Sequence, residues 1–326
     1  MVWGFWMMNK LEIGGVMKKI LKLIVIILLV IIGICVIAYC GFVFYEKFIV
    51  PNGSNKYYKK VSTGGEIEAK YIEVGPYGVS YFEQTVLQNY KKYEVYYPTE
   101  MEDSNKKYPV IVSNNGTEVK ASTYKEWFKH MASYGFIVVG NEEEYSWNGF
   151  SADMSINYLL KLNEMEDSIF YKHIDIDNIG VVGYSQGGAG TINTITDTKS
   201  KDVFKTAVAL SPTMENLASN MEWYYDASKV NIPILLLAST GNTDEKLVVN
   251  LQGLEGIYNK ISDSQLKIMA RRNDCDHKNM LVYADGYVTA WFMWQLQGDE
   301  IASKAFIEDK PEIKNNKLYQ DIEIND

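Results

Sequence analysis

Ile179-Gly180-Val181-Val182-Gly183-Tyr184-Ser185-Gln186-Gly187-Gly188 decides how the rest of this 326-residue chain is read. It joins an apolar, glycine-bearing run fit for a buried strand to a serine flanked by glycines at two before and two after. In Gly183-x-Ser185-x-Gly187 the serine occupies a sharp strand-to-helix turn, and residues without side chains let the neighbouring backbone pass close by. Ala189 to Thr198 supplies the helix that the turn requires, with its N-terminal N–H groups aimed at the serine. Ser185 is therefore the candidate nucleophile. A glycine-rich turn carrying an ordinary surface serine is the plain alternative, and the residues downstream must decide between them.

Around this stretch the chain reads as one βα domain. Ile67 to Thr85 and Lys92 to Tyr97 carry aromatic-rich, period-two patterns broken by Gly75-Pro76 and Pro98, which predicts leading antiparallel strands at one edge of a sheet. From Tyr108 onward strands and helices alternate. Pro109 to Val112 is a buried strand; Ser122 to Tyr134 is a helix with Trp127, Phe128 and Met131 on one face and Thr123 and Glu126 at capping-box spacing; Phe136 to Val139 is the next strand. Ala152 to Met165 is a helix, Ala207 to Leu210, Ile232 to Ala238 and Leu266 to Ala270 are short apolar strands, and Tyr287 to Leu296 is a final helix. Such alternation predicts an α/β fold, a mostly parallel central sheet with helices on both faces. Residues 66–308 make up this domain, and residues 309–326 read as a loosely held polar tail.

The amino end differs in kind. Ile20 to Phe44 runs 25 residues with Lys22 the only charge, long enough to span a bilayer as a transmembrane anchor over 20–44. Lys18, Lys19 and Lys22 lie on its amino side, so the positive-inside bias assigns residues 1–19 to the cytoplasm and the domain beyond the 45–65 tether to the exterior. A cleaved signal peptide normally has an apolar region of about 7 to 15 residues ending in a small-x-small site. Here the run is longer and ends Ile37-Ala38-Tyr39-Cys40, which favours an uncleaved anchor. Met17-Lys18-Lys19 would make a more usual start than Met1 for such a segment.

Beyond residue 50 the chain carries 27 basic against 39 acidic residues, a net charge of −12, which disfavours nucleic acid and other polyanions as partners. Cys275 is the only cysteine outside the apolar run, so the exterior domain has no internal disulfide.

A serine hydroxyl becomes a useful nucleophile only when a base takes its proton. Of three histidines, His130 falls in a helix and reads as a polar-face residue, and His173 falls in a loop of no evident chemistry. His277 follows the strand ending near Ala270, where loops at the end of a sheet gather catalytic groups. The carboxylate that orients it is expected at Asp244, in the loop leaving the strand Ile232 to Ala238, with Glu245, Asp274 and Asp276 as competitors. The order Ser185, Asp244, His277 is that of the α/β-hydrolases. Oxyanion donors are then the N–H of Gln186, next after the serine, and that of Thr117 in the Ser113-Asn114-Asn115-Gly116-Thr117 loop, although that Asn-Gly also reads as a plain turn. A metal on Asp274, Asp276 and His277 is not expected, because no second histidine stands at ligand spacing, and no cofactor is called for.

Taken together, Gly116-Thr117, the helix with Trp127, Ala132-Ser133-Tyr134-Gly135-Phe136, Gly183-Tyr184-Ser185-Gln186-Gly187-Gly188, Asp244 and His277 resemble the dienelactone-hydrolase-like α/β-hydrolases, in particular the bacterial cutinase and polyester-hydrolase branch. The resemblance covers roughly residues 108–297. It implies an esterase with Ser185, Asp244 and His277 as triad, Thr117 and Gln186 as oxyanion hole, and Tyr184 with Thr117 against the substrate. The chain departs from that branch in having Thr117 and Thr213 where polyester hydrolases carry aromatic residues, and in lacking their carboxy-terminal disulfide. Met214 to Lys229, with Trp223, Tyr224 and Tyr225, is either a small cap offering aromatic surface or a connection packing its aromatics on the domain. The expectation is a membrane-tethered extracellular serine hydrolase acting on a small or lipid-like ester. An acyltransferase would use the same triad, and a non-catalytic binding module of this fold usually lacks one of its members.

Overall fold

The computed structural model describes residues 2–44, 61–88 and 90–325. The chain divides into two compact units, Met1–Pro51 and Asn52–Asp326. Val2–Phe44 of the first is one helix, and its Met17–Gly41 stretch, which holds an 18-residue window with a mean hydropathy of 3.4, is long and apolar enough to cross a membrane. A signal sequence near an N-terminus has the same character. Most of the predicted 45–65 tether, residues 45–60, lies outside the described residues.

The second unit is built on a nine-stranded sheet in the order β1-β2-β4-β3-β5-β6-β7-β8-β9. Its strands are β1 Val79–Thr85, β2 Lys92–Pro98, β3 Tyr108–Asn114, β4 Ile137–Asn141, β5 Ile174–Tyr184, β6 Thr206–Leu210, β7 Ile234–Ser239, β8 Lys267–Arg272 and β9 Tyr319–Ile324. β3 to β8 pair in parallel, while β1 and β2 extend one edge antiparallel and β9 closes the other. Parallel strands are buried on both faces, so their side chains divide between two cores by the period of two. Val182, Leu235 and Leu237 join Trp127, Phe128, Trp291 and Phe292 on one face. Val181, Ile234 and Leu236 meet Ile156, Leu159, Ile192 and Ile257 on the other. The helices Lys125–Ala132 and Asp285–Gln297 thus cover one face, and Phe150–Glu164, Gln186–Thr196 and Leu251–Lys260 the opposite one.

β3 leads on to β4 on one side while β5 leads on to β6 on the other, so the order reverses between β3 and β5. Loops at the carboxyl ends of two such strands diverge and leave a crevice, the place where open α/β sheets hold ligands.

Three sequence expectations give way here. Glu66–Ile72 is a helix, not part of a leading strand: Glu68, Tyr71 and Ile72 are its buried residues, a helical spacing within a segment whose Ile67, Ala69 and Tyr71 also alternate. Thr123 and Glu126 form no capping box, since Ala121–Tyr124 is a tight 3-10 turn that starts the helix at Lys125, and Glu126 pairs with Lys129 at 3.1 Å. Residues 309–325 of the predicted 309–326 tail are not loosely held. Glu312–Asn315 is a helical turn, Tyr319–Ile324 pairs with β8, and Glu312 accepts the N–H groups of Ile67 and Glu68 at 2.7 and 3.0 Å. Beneath them Arg272 and Glu68 form a fully buried ion pair, and the Arg272 guanidinium donates to Tyr319 Oη at 3.2 Å and Ser62 O at 2.6 Å.

Candidate active site

Ser185 follows the last residue of β5 and has φ 60°, ψ −121°, a conformation that non-glycine residues rarely adopt. The glycines around it explain how the turn is tolerated. A Cβ on Gly183 would stand 2.0 Å from Gly187 O, and one on Gly187 would stand 2.3 Å from Asn114 O. The turn therefore closes only with hydrogen at both positions, and Ser185, held by its N–H to Leu210 O at 2.8 Å, stands half-buried above the sheet.

β8 ends at Arg272, and the following loop brings His277 to the same edge, with Nε2 2.9 Å from Ser185 Oγ. His277 Nδ1 lies 2.6 Å from Asp244 Oδ1. Asp244 comes from the wide helical turn Asp244–Val248 after β7 and is wholly buried. An isolated carboxylate in such a place would be costly, but its other oxygen accepts three bonds: Ser239 N–H at 2.8 Å, Ser239 Oγ at 2.6 Å and Ser211 Oγ at 2.6 Å. These serines were missed in the sequence, where the visible signal is a lone hydroxyl at the end of each apolar strand.

The three competing carboxylates are engaged elsewhere. Glu245 pairs with Arg271, and Asp274 lies 3.7 Å from Arg272 Nε. Asp276 accepts the His277 N–H at 2.8 Å and the Thr243 N–H and hydroxyl, both at 2.9 Å, thereby fastening the histidine loop to the acid loop. Burial works against its charge, but these three donors outweigh that and hold its carboxyl below the usual range. The neighbouring Cys275 thiol is pushed by burial up to about 12, so it remains protonated and inert.

Of the expected oxyanion donors, Gln186 opens the helix Gln186–Thr196, and its side-chain carbonyl accepts the Ser146 N–H at 2.8 Å. Thr117 is three residues past Asn114, which pairs in register with Gly183, so it leaves the sheet beside Ser185. It is exposed in a turn whose Gly116 N–H donates to Tyr124 Oη at 3.3 Å. A Cβ on Gly116 would come within 3.2 Å of the Tyr184 ring, which itself lies over His277 with centroids 4.8 Å apart. Thr213 donates its N–H to Ser185 O at 3.3 Å, and Tyr225 Oη donates to Thr213 O at 2.8 Å, so at least this aromatic of the 214–229 segment packs on the domain.

The arrangement can move a proton from Ser185 Oγ to His277 Nε2 while Asp244 accepts from Nδ1, the geometry of a nucleophile, its base and the orienting acid. A family model described as PETase, PET hydrolase-like, matches residues 59–307. The chain therefore belongs to the PET hydrolase-like family, within the cutinase and polyester-hydrolase branch of the α/β-hydrolases, a family of ester hydrolases.

Proposed function

We propose that this protein is a membrane-anchored serine hydrolase that cleaves carboxylic esters outside the cell through an acyl-enzyme on Ser185. The observation that carries the reading is the unbroken contact from Ser185 Oγ through His277 to buried Asp244, at 2.9 and 2.6 Å. In the mechanism, His277 Nε2 takes the Ser185 proton as Oγ attacks the ester carbonyl, and Asp244 stabilises the imidazolium that results. The N–H groups of Gln186 and Thr117 receive the negative charge that develops on the carbonyl oxygen. Collapse of the tetrahedral intermediate expels the alcohol, which takes its proton from His277. Water, activated by the same histidine, then attacks the acyl group and frees Ser185. Tyr184 forms a wall of the pocket beside His277. The anchor is the Met17–Gly41 stretch, with Lys18, Lys19 and Lys22 retaining its amino side in the cytoplasm.

A fluorophosphonate probe added to intact cells tests both halves. It is expected to label the protein at Ser185 and to leave the Ser185→Ala variant unlabelled, with the labelled protein in the membrane fraction. A folded protein that resists the probe would sink the hydrolase assignment. Labelling of lysed cells alone would sink the extracellular one.

A further inference from the structure

We infer that Arg272 is a positioning residue for His277, and that residues 62–72, which lead from the apolar helix into the domain, hold it in place. That stretch is then a working part of the active site and not a spacer. The inference rests on His277 as the base for Ser185 and adds what fixes the loop that carries it.

Arg272 is the last residue of β8, five positions before His277, and is wholly buried. A guanidinium so placed is tolerated only when its charge and its donors are met. Residues 62–72 supply both: Glu68 pairs with the charge, and Ser62 O accepts from a terminal nitrogen at 2.6 Å. Glu68 is fixed in turn, because its other oxygen accepts the Gly64 N–H at 2.8 Å and the Asn316 amide at 2.7 Å. Only glycine fits at 64, where a Cβ would stand 2.0 Å from Asn316 Oδ1.

From this anchor the same side chain grips the histidine loop at both ends. Its Nε faces Asp274 Oδ1 at 3.7 Å where the loop departs. Its guanidinium carbon lies over the Tyr283 ring, 5.4 Å from the centroid, where the loop has returned through the helical turn Met280–Tyr283. Asp274 has φ 56°, a left-handed turn that redirects the chain between these two grips. The main chain of Arg272 reaches the acid as well, since its carbonyl accepts the Thr240 N–H at 2.9 Å in the loop that leads to Asp244. Asp276 fastens the histidine loop near its tip through Thr243, and Arg272 fastens it at its base. The 2.9 Å contact of His277 Nε2 with Ser185 Oγ depends on that fastening, because a shift of about 1 Å in a catalytic group can cost roughly a hundredfold in rate.

The test uses the full chain in detergent and a short ester, p-nitrophenyl acetate, with kcat and KM measured at matched folded concentration. Arg272→Lys retains a charge opposite Glu68, but a single ammonium cannot span Glu68, Ser62 O and Asp274 together. It should lower kcat about tenfold with KM within about twofold. The double variant Glu68→Met with Arg272→Met leaves no lone buried charge and so keeps the fold, and it should lose at least as much kcat. Lys267→Met is the control. Lys267 is buried at the opposite end of β8, donating to Tyr258 O and Ile261 O at 3.1 and 2.7 Å, so its loss weakens the same strand away from His277 and should leave kcat within about twofold. An unchanged kcat in both Arg272 variants, a change confined to KM, or an equal loss in Lys267→Met would overturn the inference. The ring is also read without turnover, from the downfield proton resonance of His277 Nδ1–H on Asp244, assigned by its absence in His277→Ala. That resonance should shift or broaden in Arg272→Lys and stay in place in Lys267→Met, and no response to Arg272→Lys overturns the inference. A response in a protein that hydrolyses no ester leaves Arg272 as the positioning residue and removes the hydrolase reading.

Discussion

The domain contains two histidine–aspartate pairs of the same separation and different consequence. His277 Nδ1 lies 2.6 Å from Asp244, and His130 Nδ1 lies 2.6 Å from Asp285; both aspartates are wholly buried. What separates them is the far side of each ring. His277 Nε2 meets Ser185 Oγ, a group able to donate, so a neutral ring with its proton on Nδ1 fits and can serve as a base. His130 Nε2 meets Glu73 O at 2.8 Å, an acceptor, so both its nitrogens face acceptors and the imidazolium fits. Burial opposes that charge, but the Asp285 carboxylate outweighs it and raises the His130 pKa. Asp285 also accepts the Trp127 indole N–H at 2.9 Å, so this second pair fastens two core helices to the segment after Glu66–Ile72. A histidine–aspartate pair is thus a base or a staple according to what its second nitrogen touches.

Removing each histidine should break the comparison in opposite ways. His277→Ala is expected to lower ester turnover by roughly 10^4-fold or more while leaving thermal stability nearly unchanged. His130→Gln should leave the folded fraction active, but it deprives the buried Asp285 of its charge partner and should lower unfolding free energy by about 3 kcal/mol, read from urea midpoints. A variant of His130 that folds normally and loses turnover would erase the distinction.

The pH dependence sharpens it. A histidine whose folded pKa is raised contributes stability that is fully present below its unfolded pKa, about 6.5, and is lost as pH rises through the folded value. The urea midpoint of the native protein should therefore fall on the alkaline side, and His130→Gln should flatten that slope.

The smallest effect belongs to the loop clamp. Asp276→Ala removes an acceptor from His277 N–H and Thr243 without touching the proton path, and turnover should fall by only about tenfold, with KM little changed.

The two pairs were unequally legible in the sequence. Ser185 announces itself because its turn admits only small residues at fixed offsets, and His277 and Asp244 each follow an apolar strand toward the edge where Ser185 stands. Nothing local marks Asp285 as the partner of His130, or Glu68 as that of Arg272, because each contact is made by tertiary packing between residues far apart in the chain. The closing strand β9 was hidden for a different reason. Its alternation Tyr319-Gln320-Asp321-Ile322-Glu323-Ile324 belongs to a charged edge, and its pairing with β8 shifts register beside Asp321, which sits at φ 53° and accepts from Arg271 Nε at 2.8 Å. Ser211 and Ser239 escaped notice because a hydroxyl that stabilises a buried carboxylate looks, in sequence, like any strand-end serine.

The claim that His277 works as a base because Asp244 orients it is tested most directly by the turnover of Asp244→Asn on a short model ester, measured beside Asp274→Asn and Asp276→Asn at matched folded concentration. Exchanging the carboxylate for an amide favours the wrong tautomer of His277, and turnover is predicted to drop by roughly a thousandfold or more, with the other two variants losing far less. Near-full activity in Asp244→Asn, with activity abolished in Asp274→Asn or Asp276→Asn, would contradict the account and assign the acid to the histidine loop itself.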